Sequence, residues 1–232
     1  MEPTFELADY QSGGLSRIRA LRDIPMHGVR AGDFGGWVSS THTSAGQPRI
    51  APTAWLGGDA TLCGEARLLD HALVKGRAVI QGHALVCEGA IVRGQATVAD
   101  NARITGRACV QGTATITDHA LIDGRAHIHG SARIGDHATI TERAKVFGDA
   151  VVSDNAYIAG FAEIAARNHY LVIQNFPSFE GQSITVYRDR NGNAIIRHGN
   201  SENSLDQLRE NNESQIRQLV NLLETLTARW AN

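Results

Sequence analysis

Ten histidines, a column of arginines and three cysteines are the residues of this 232-residue chain whose types reach beyond folding. His119 and His137 stand eighteen positions apart, and Arg107, Arg125 and Arg143 repeat at the same spacing. An imidazole exchanges protons near neutral pH, and stacked guanidinium groups can hold a phosphate or a carboxylate through paired N–H donors. Each reading has a plainer rival. Asn101 and Asn155 fill the same slot as the two histidines, which fits a ladder of turn-forming residues. Asp123 and Glu142 lie close enough in sequence to neutralise the arginines. Cys63, Cys87 and Cys109 fall in outward slots on three different sides and are not expected to pair, and no C-x-x-C spacing marks a metal or redox site.

What positions these residues is a repeat of six. An alanine followed two residues later by an aliphatic residue recurs without a break from Ala54 to Ile164, and no aliphatic slot is polar. Alternation along a short strand puts both residues on one face, so alanine and aliphatic point inward. The remaining positions are turn chemistry, as in Gly106-Arg107, Asp118-His119 and Asp136-His137. Gly58, Gly76, Gly94, Gly112, Gly130 and Gly148 are spaced by eighteen, so three hexads make one coil and residue i lies over residue i+18. The fold class that follows is mainly β, a three-sided parallel solenoid.

The outward slots differ from side to side. One side carries Thr61, Val79, Thr97, Thr115 and Val151 with a single charge at Arg133, a flat surface suited to a subunit or partner interface; strand preference for Thr and Val explains the same composition. A second side exposes Leu69, Leu85, Leu121 and Tyr157, candidates for a trimer groove. The third runs from Trp55, Leu73, Ile91 and Cys109 to His127, His129 and Lys145.

End pieces flank the repeat. Residues 1–37 read as an N-terminal cap with a strand near Leu15–Leu21, residues 38–165 as the β-helix, residues 166–199 as a small β element and residues 200–232 as a helix. Val38 lies eighteen before Leu56, which places the start of the coil phase there, and Ser39–Pro48 leaves as a loop carrying His42, a plain connector or an active-site loop. In the β element, Asn191-Gly192 between apolar segments predicts a hairpin. Ser204 and Gln207 form a capping-box start for the helix. Its apolar stripe, Leu205, Leu208, Ile216, Leu219, Leu223, Leu226 and Trp230, fits either an oligomerising coil over Ile216–Trp230 or packing back on the body, with Asn211-Asn212 interrupting the seam.

Units such as Ile134-Gly135-Asp136-His137-Ala138-Thr139 resemble the hexapeptide repeat of left-handed parallel β-helices, the fold of many acyltransferases. The left hand is implied by that resemblance. The stretch Ala31-Gly32-Asp33-Phe34-Gly35-Gly36-Trp37-Val38 before the repeat is similar to YdcK-like β-helix proteins of bacteria and phages. The acyltransferase resemblance implies a trimer using acyl-CoA as co-substrate, with His119 or His137 as general base. Such enzymes also carry a loop expelled from the coil, and the uninterrupted repeat holds none. A resemblance to γ-class carbonic anhydrases implies zinc held by histidines, for which His83, His119, His127, His129 and His137 are numerous enough but scattered over corners and sides. The leading expectation is a non-enzymatic scaffold without cofactor that forms a dimer or trimer and binds a protein partner, which for a phage-encoded chain would be host machinery.

A formal charge of −2 argues against general nucleic-acid binding and against a DNA mimic. No apolar run is long enough to span a membrane, and Met1-Glu2-Pro3-Thr4 lacks the basic-then-apolar order of a signal peptide, so a cytoplasmic location is the expectation.

Overall fold

The computed structural model describes residues 4–174, 183–199, 201–211 and 213–231. From Trp55 to Ile164 each hexad forms one two-residue strand, and these stack in parallel into three sheets. Face I contains Thr61, Val79, Thr97, Thr115, Arg133 and Val151; face II contains Arg67, Leu85, Arg103, Leu121, Thr139 and Tyr157; face III contains Trp55, Leu73, Ile91, Cys109, His127, Lys145 and Glu163. Register pairs residue i with i+18 throughout, as in Thr97 with Thr115 and Ile122 with Ile140. The backbone ladder follows, for example Thr97 N–H donating to Ala114 O at 2.9 Å.

The inward alanines and aliphatics from Ala54 to Ile164 are at most 1 % exposed and form one continuous core. Each coil turns three alanines and three larger aliphatics inward, small and large residues alternating around one close-packed core. The corners demand left-handed backbone. On the corner between faces III and I, a Cβ built on Gly112 would stand 2.6 Å from Gly130 O, and its φ is +75°, so glycine is the residue that fits.

The start of the solenoid differs from the expected phase. Val38 pairs with Leu62, twenty-four positions on rather than eighteen, whereas Ile50 pairs with Leu68 in normal register. One extra hexad is therefore extruded as the loop 39–49, folded on itself by the bridge between His42 and Pro48. Ahead of it, strand β1 (Phe5–Ser12), β2 (Leu15–Ala20) and β3 (Phe34–Val38) add to face I, which becomes a nine-stranded sheet. Ile18 is fully buried under this cap.

Beyond Ile164, four antiparallel strands close the other end: Tyr170–Ile173, Ile184–Arg188, Ala194–His198 and Ser201–Ser204. The fourth strand lies past the expected end of this element at residue 199. Alternation along the second strand serves two cores. Tyr187, 1 % exposed, plugs the solenoid, while Ile184 and Val186 face a separate cluster with Leu208, Ile216, Leu219, Leu223 and Trp230. The C-terminal helix is two segments, α1 (Leu205–Arg209), opened by the capping box of Ser204 and Gln207, and α2 (Ser214–Thr227). Ile216, Leu219, Leu223 and Trp230 are between 0 and 6 % exposed and Leu226 is half-buried, so of the two arrangements expected for this apolar stripe the chain itself displays packing back on the small sheet.

Candidate functional site

The chemistry-bearing side chains sort by corner. On the corner between faces I and II, Asp100, Asp118, Asp136 and Asp154 all adopt φ between +52° and +60°. Each of the first three turns its carboxylate along the axis to accept the N–H of its counterpart one coil on, at 3.3, 3.1 and 2.9 Å. Asp tolerates this conformation because its short polar side chain bonds locally. Hydrogen bonds from the Thr117 hydroxyl and the Asp136 N–H hold the Asp118 carboxyl below the usual carboxylate range, helped by His119 and His137.

His119 and His137 follow those aspartates and stack face to face, with ring centroids 4.9 Å apart and planes 2° apart. Both are exposed on a convex corner. The carboxylates beside them bond backbone, not imidazole, so the histidines stand in a ladder with Asn101 and Asn155 rather than in an oriented acid–base pair. His83 belongs to the same column and has different company.

The extruded loop lies over that end of the corner. Ser44 N–H donates to Glu65 Oε2 at 2.9 Å, and this bond, above all, keeps the Glu65 carboxyl below its ordinary value. Arg49, 4 % exposed, donates from Nε to His42 O at 3.1 Å and from Nη2 to Gly64 O, pinning the loop's base. Arg67 donates to Gln47 Oε1 at 2.7 Å. Between loop and face II runs a shallow cleft of about 410 Å³ bordered by Ser44, Glu65, Arg67, His83 and Leu85. His42, the histidine singled out in this loop, bonds Thr41 through Nδ1 at 2.9 Å and does not line the cleft. Sequence spacing does not single out His83 with Glu65: it marks the loop Ser39–Pro48, and only the pairing of Val38 with Leu62 puts that loop over their corner.

On the corner between faces II and III, Arg107, Arg125 and Arg143 are exposed, one per coil. The expected neutralisation by Asp123 and Glu142 does not occur: among the described residues no ion pair joins either carboxylate to any of the three. Glu142 accepts the Gly160 N–H at 3.0 Å and lies 3.8 Å from Arg197, while Glu88 accepts the Gly106 N–H at 3.1 Å. Arg143 instead stands 5.6 Å from the ring centroid of Phe161.

Face III gathers a polar cluster. Gln111 receives Arg93 Nε at 2.7 Å and meets His127 Nε2 at 3.0 Å, and His129 stacks on Phe147 with centroids 5.2 Å apart. Burial pushes the His127 imidazole below its ordinary value, with His129, Arg93 and Lys145 adding to it. Among the described residues no three His, Cys, Asp or Glu side chains converge to hold a metal ion. The three cysteines are unpaired, and burial raises each thiol.

The broad faces differ in access. Thr61, Val79, Thr97, Thr115 and Val151 are half-exposed and Arg133 exposed, on a sheet that continues into the N-terminal cap. On face II the loop lies against the first coils, and Arg197 covers Tyr157 at 4.3 Å from its ring centroid, so Leu85 and Leu121 lie between two walls.

A scan against protein-family models finds no match to the chain, and comparisons with curated proteins and with solved structures find none either. No helix among the described residues is long and apolar enough to cross a membrane.

Proposed function

We propose that this chain is a rigid scaffold that associates through face I, with a second copy or with another protein. The observation that carries the reading is the nine-stranded sheet itself, whose solenoid part from Thr61 to Val151 presents five uncharged side chains and one arginine. Dehydratable and inflexible, such a surface loses little conformational entropy on docking. Face II is walled at both ends, and Ile216, Leu219, Leu223 and Trp230 of the helix stripe are buried within the chain.

The test is the mass in solution of the wild-type chain and of Thr97→Lys combined with Thr115→Lys. The two positions are neighbours in register. Two added ammonium groups at the centre of a buried face should dissociate the assembly. An unchanged mass in the variant, or a monomeric wild type, removes self-association through this face.

The cleft under the extruded loop favours one second reading, acyl transfer from an acyl-CoA. There His83 and Glu65, not His119 or His137, are the groups beside a concave surface. Calorimetry with acetyl-CoA decides it, since no heat at millimolar ligand would leave the scaffold reading alone.

A further inference from the structure

The arginine column continues past the repeat. After Arg107, Arg125 and Arg143 the next place on the corner is Phe161, and Arg190 of the C-terminal sheet reaches over that ring at 4.4 Å from its centroid, beside Arg143 at 5.6 Å. A fourth guanidinium thus extends the row, pinned there by the aromatic ring. All four arginines are exposed. At the other end Gly89 holds the place before Arg107 and leaves it open, a Cβ there coming no nearer to Arg107 than 3.7 Å from its Cγ.

Three carboxylates near this row are turned to the backbone rather than to its guanidinium groups, and Asp123, on the same corner, forms no ion pair with it among the described residues. Glu88 and Glu142 accept backbone N–H groups one coil away, and Asp189 accepts those of Asn191 and Asn193 at 2.8 and 2.7 Å. No ion pair reaches any of the four arginines among the described residues.

The pitch selects the ligand. Side chains one coil apart on a corner stack at 4.9 Å, as the rings of His119 and His137 do. An α-helix with carboxylates at i, i+3 or i+4, and i+7 advances about 5 Å per carboxylate, so over three steps the mismatch is about 1 Å. An extended strand offers same-face side chains roughly every 6.7 Å and drifts out of step by about 5 Å over the same length. The neighbouring corner, with its four stacked aspartates, and the net charge of −2 disfavour a nucleic acid.

We propose that the corner between faces II and III docks an α-helix of a partner protein whose exposed face carries Asp or Glu once per turn. The inference rests on the scaffold reading for taking the partner to be a protein, and it adds the partner's chemistry and a second surface distinct from face I.

Two helical peptides of about 20 residues and identical composition test it by fluorescence anisotropy at low and high salt. One has its glutamates in a single stripe, and the other has them spread around the helix. The stripe should bind the full-length protein about tenfold more tightly, and Arg107→Gln with Arg125→Gln and Arg143→Gln should remove that advantage. Equal binding of the two peptides overturns the proposal. So does tighter binding of a single-stranded oligonucleotide of equal charge, which would make the row a general polyanion site. Thr97→Lys with Thr115→Lys should leave peptide binding unchanged, so loss of the assembly and loss of the peptide report on different surfaces.

Discussion

Two corners of one solenoid, built on the same pitch, use their polar residues in opposite directions. Between faces I and II the left-handed slot holds Asp100, Asp118, Asp136 and Asp154, whose carboxylates turn along the axis to the next coil's N–H. Between faces II and III that slot holds Asp70, Glu88, Gly106, Gly124, Glu142 and Gly160, and Glu88 and Glu142 reach the same N–H with one more methylene. The slot that follows is where the corners part, with imidazole and amide on one and guanidinium on the other. The first slot answers to the backbone; the second is free to vary, and surface chemistry accumulates there.

The largest effect should come from violating the first slot. At Gly106, φ is +66° and a Cβ would stand 2.7 Å from Gly124 N and O. Gly106→Val adds branching to a conformation that L residues resist, and should cost roughly 2–3 kcal/mol in urea unfolding. Gly106→Asp places the residue the neighbouring corner already uses, and should cost much less. Equal losses for the two would show that space, not backbone conformation, governs the slot.

Smaller, and decisive for the contrast, is Asp118→Ala against Arg125→Ala. The first leaves a non-glycine residue left-handed without its bond to the Asp136 N–H, a loss of about 1–2 kcal/mol. The second removes an exposed guanidinium with no ion pair among the described residues, and should stay within about 0.5 kcal/mol. If Arg125→Ala proves as costly as Asp118→Ala, the arginine column is part of the fold rather than a surface held for a partner.

Acid should separate the regions again. Asp118 and Glu65 are held below their ordinary values by hydrogen bonds, so their stabilisation is complete above an unfolded-state value near 4 and is lost as pH falls through the lower folded-state values. His127 behaves differently: burial lowers its folded-state value, so an unfolded imidazole takes up its proton near pH 6.5 while the folded one resists. Stability should therefore begin to fall as pH drops below about 6.5. Urea midpoints of His127→Gln should be flatter than wild type between pH 7 and 5, and those of Asp118→Asn flatter below about pH 4. Parallel curves for wild type and His127→Gln would mean the imidazole pays no burial cost.

Much of the fold was legible because the period is short and unbroken, but arithmetic hides one step. Val38 is a whole number of hexads from both Leu56 and Leu62, so its inward phase is the same at eighteen and at twenty-four residues, and only the observed pairing shows the extra unit. The strand Ser201–Ser204, Ser-Glu-Asn-Ser, carries no apolar alternation to announce it. The stripe on α2 looks the same whether its cover is another chain or Ile184, Val186 and Ile196. For the candidate sites, the columns themselves followed from the spacing of eighteen. Which carboxylates were free did not, because Glu142 lies beside Arg143 in sequence yet serves Gly160 and Arg197, one coil and one module away.

The smallest effect is expected where chemistry first drew the eye. Asn101 and Asn155 hold the same slot as His119 and His137, all four being exposed, and the aspartate before each supplies the left-handed turn. His119→Asn with His137→Asn should therefore change unfolding free energy by no more than about 0.5 kcal/mol and leave the mass in solution untouched. A general base gives a different outcome, since removing it lowers a transfer rate by roughly 10²–10⁴-fold without disturbing the fold. Should acetyl-CoA bind, the double variant and His83→Asn become a matched pair: the base lies at the cleft if only His83→Asn slows transfer, and on the stacked ladder if only the double variant does. The stacked pair stands away from the concave surface at Glu65 and His83, so the ladder arrangement predicts the first result.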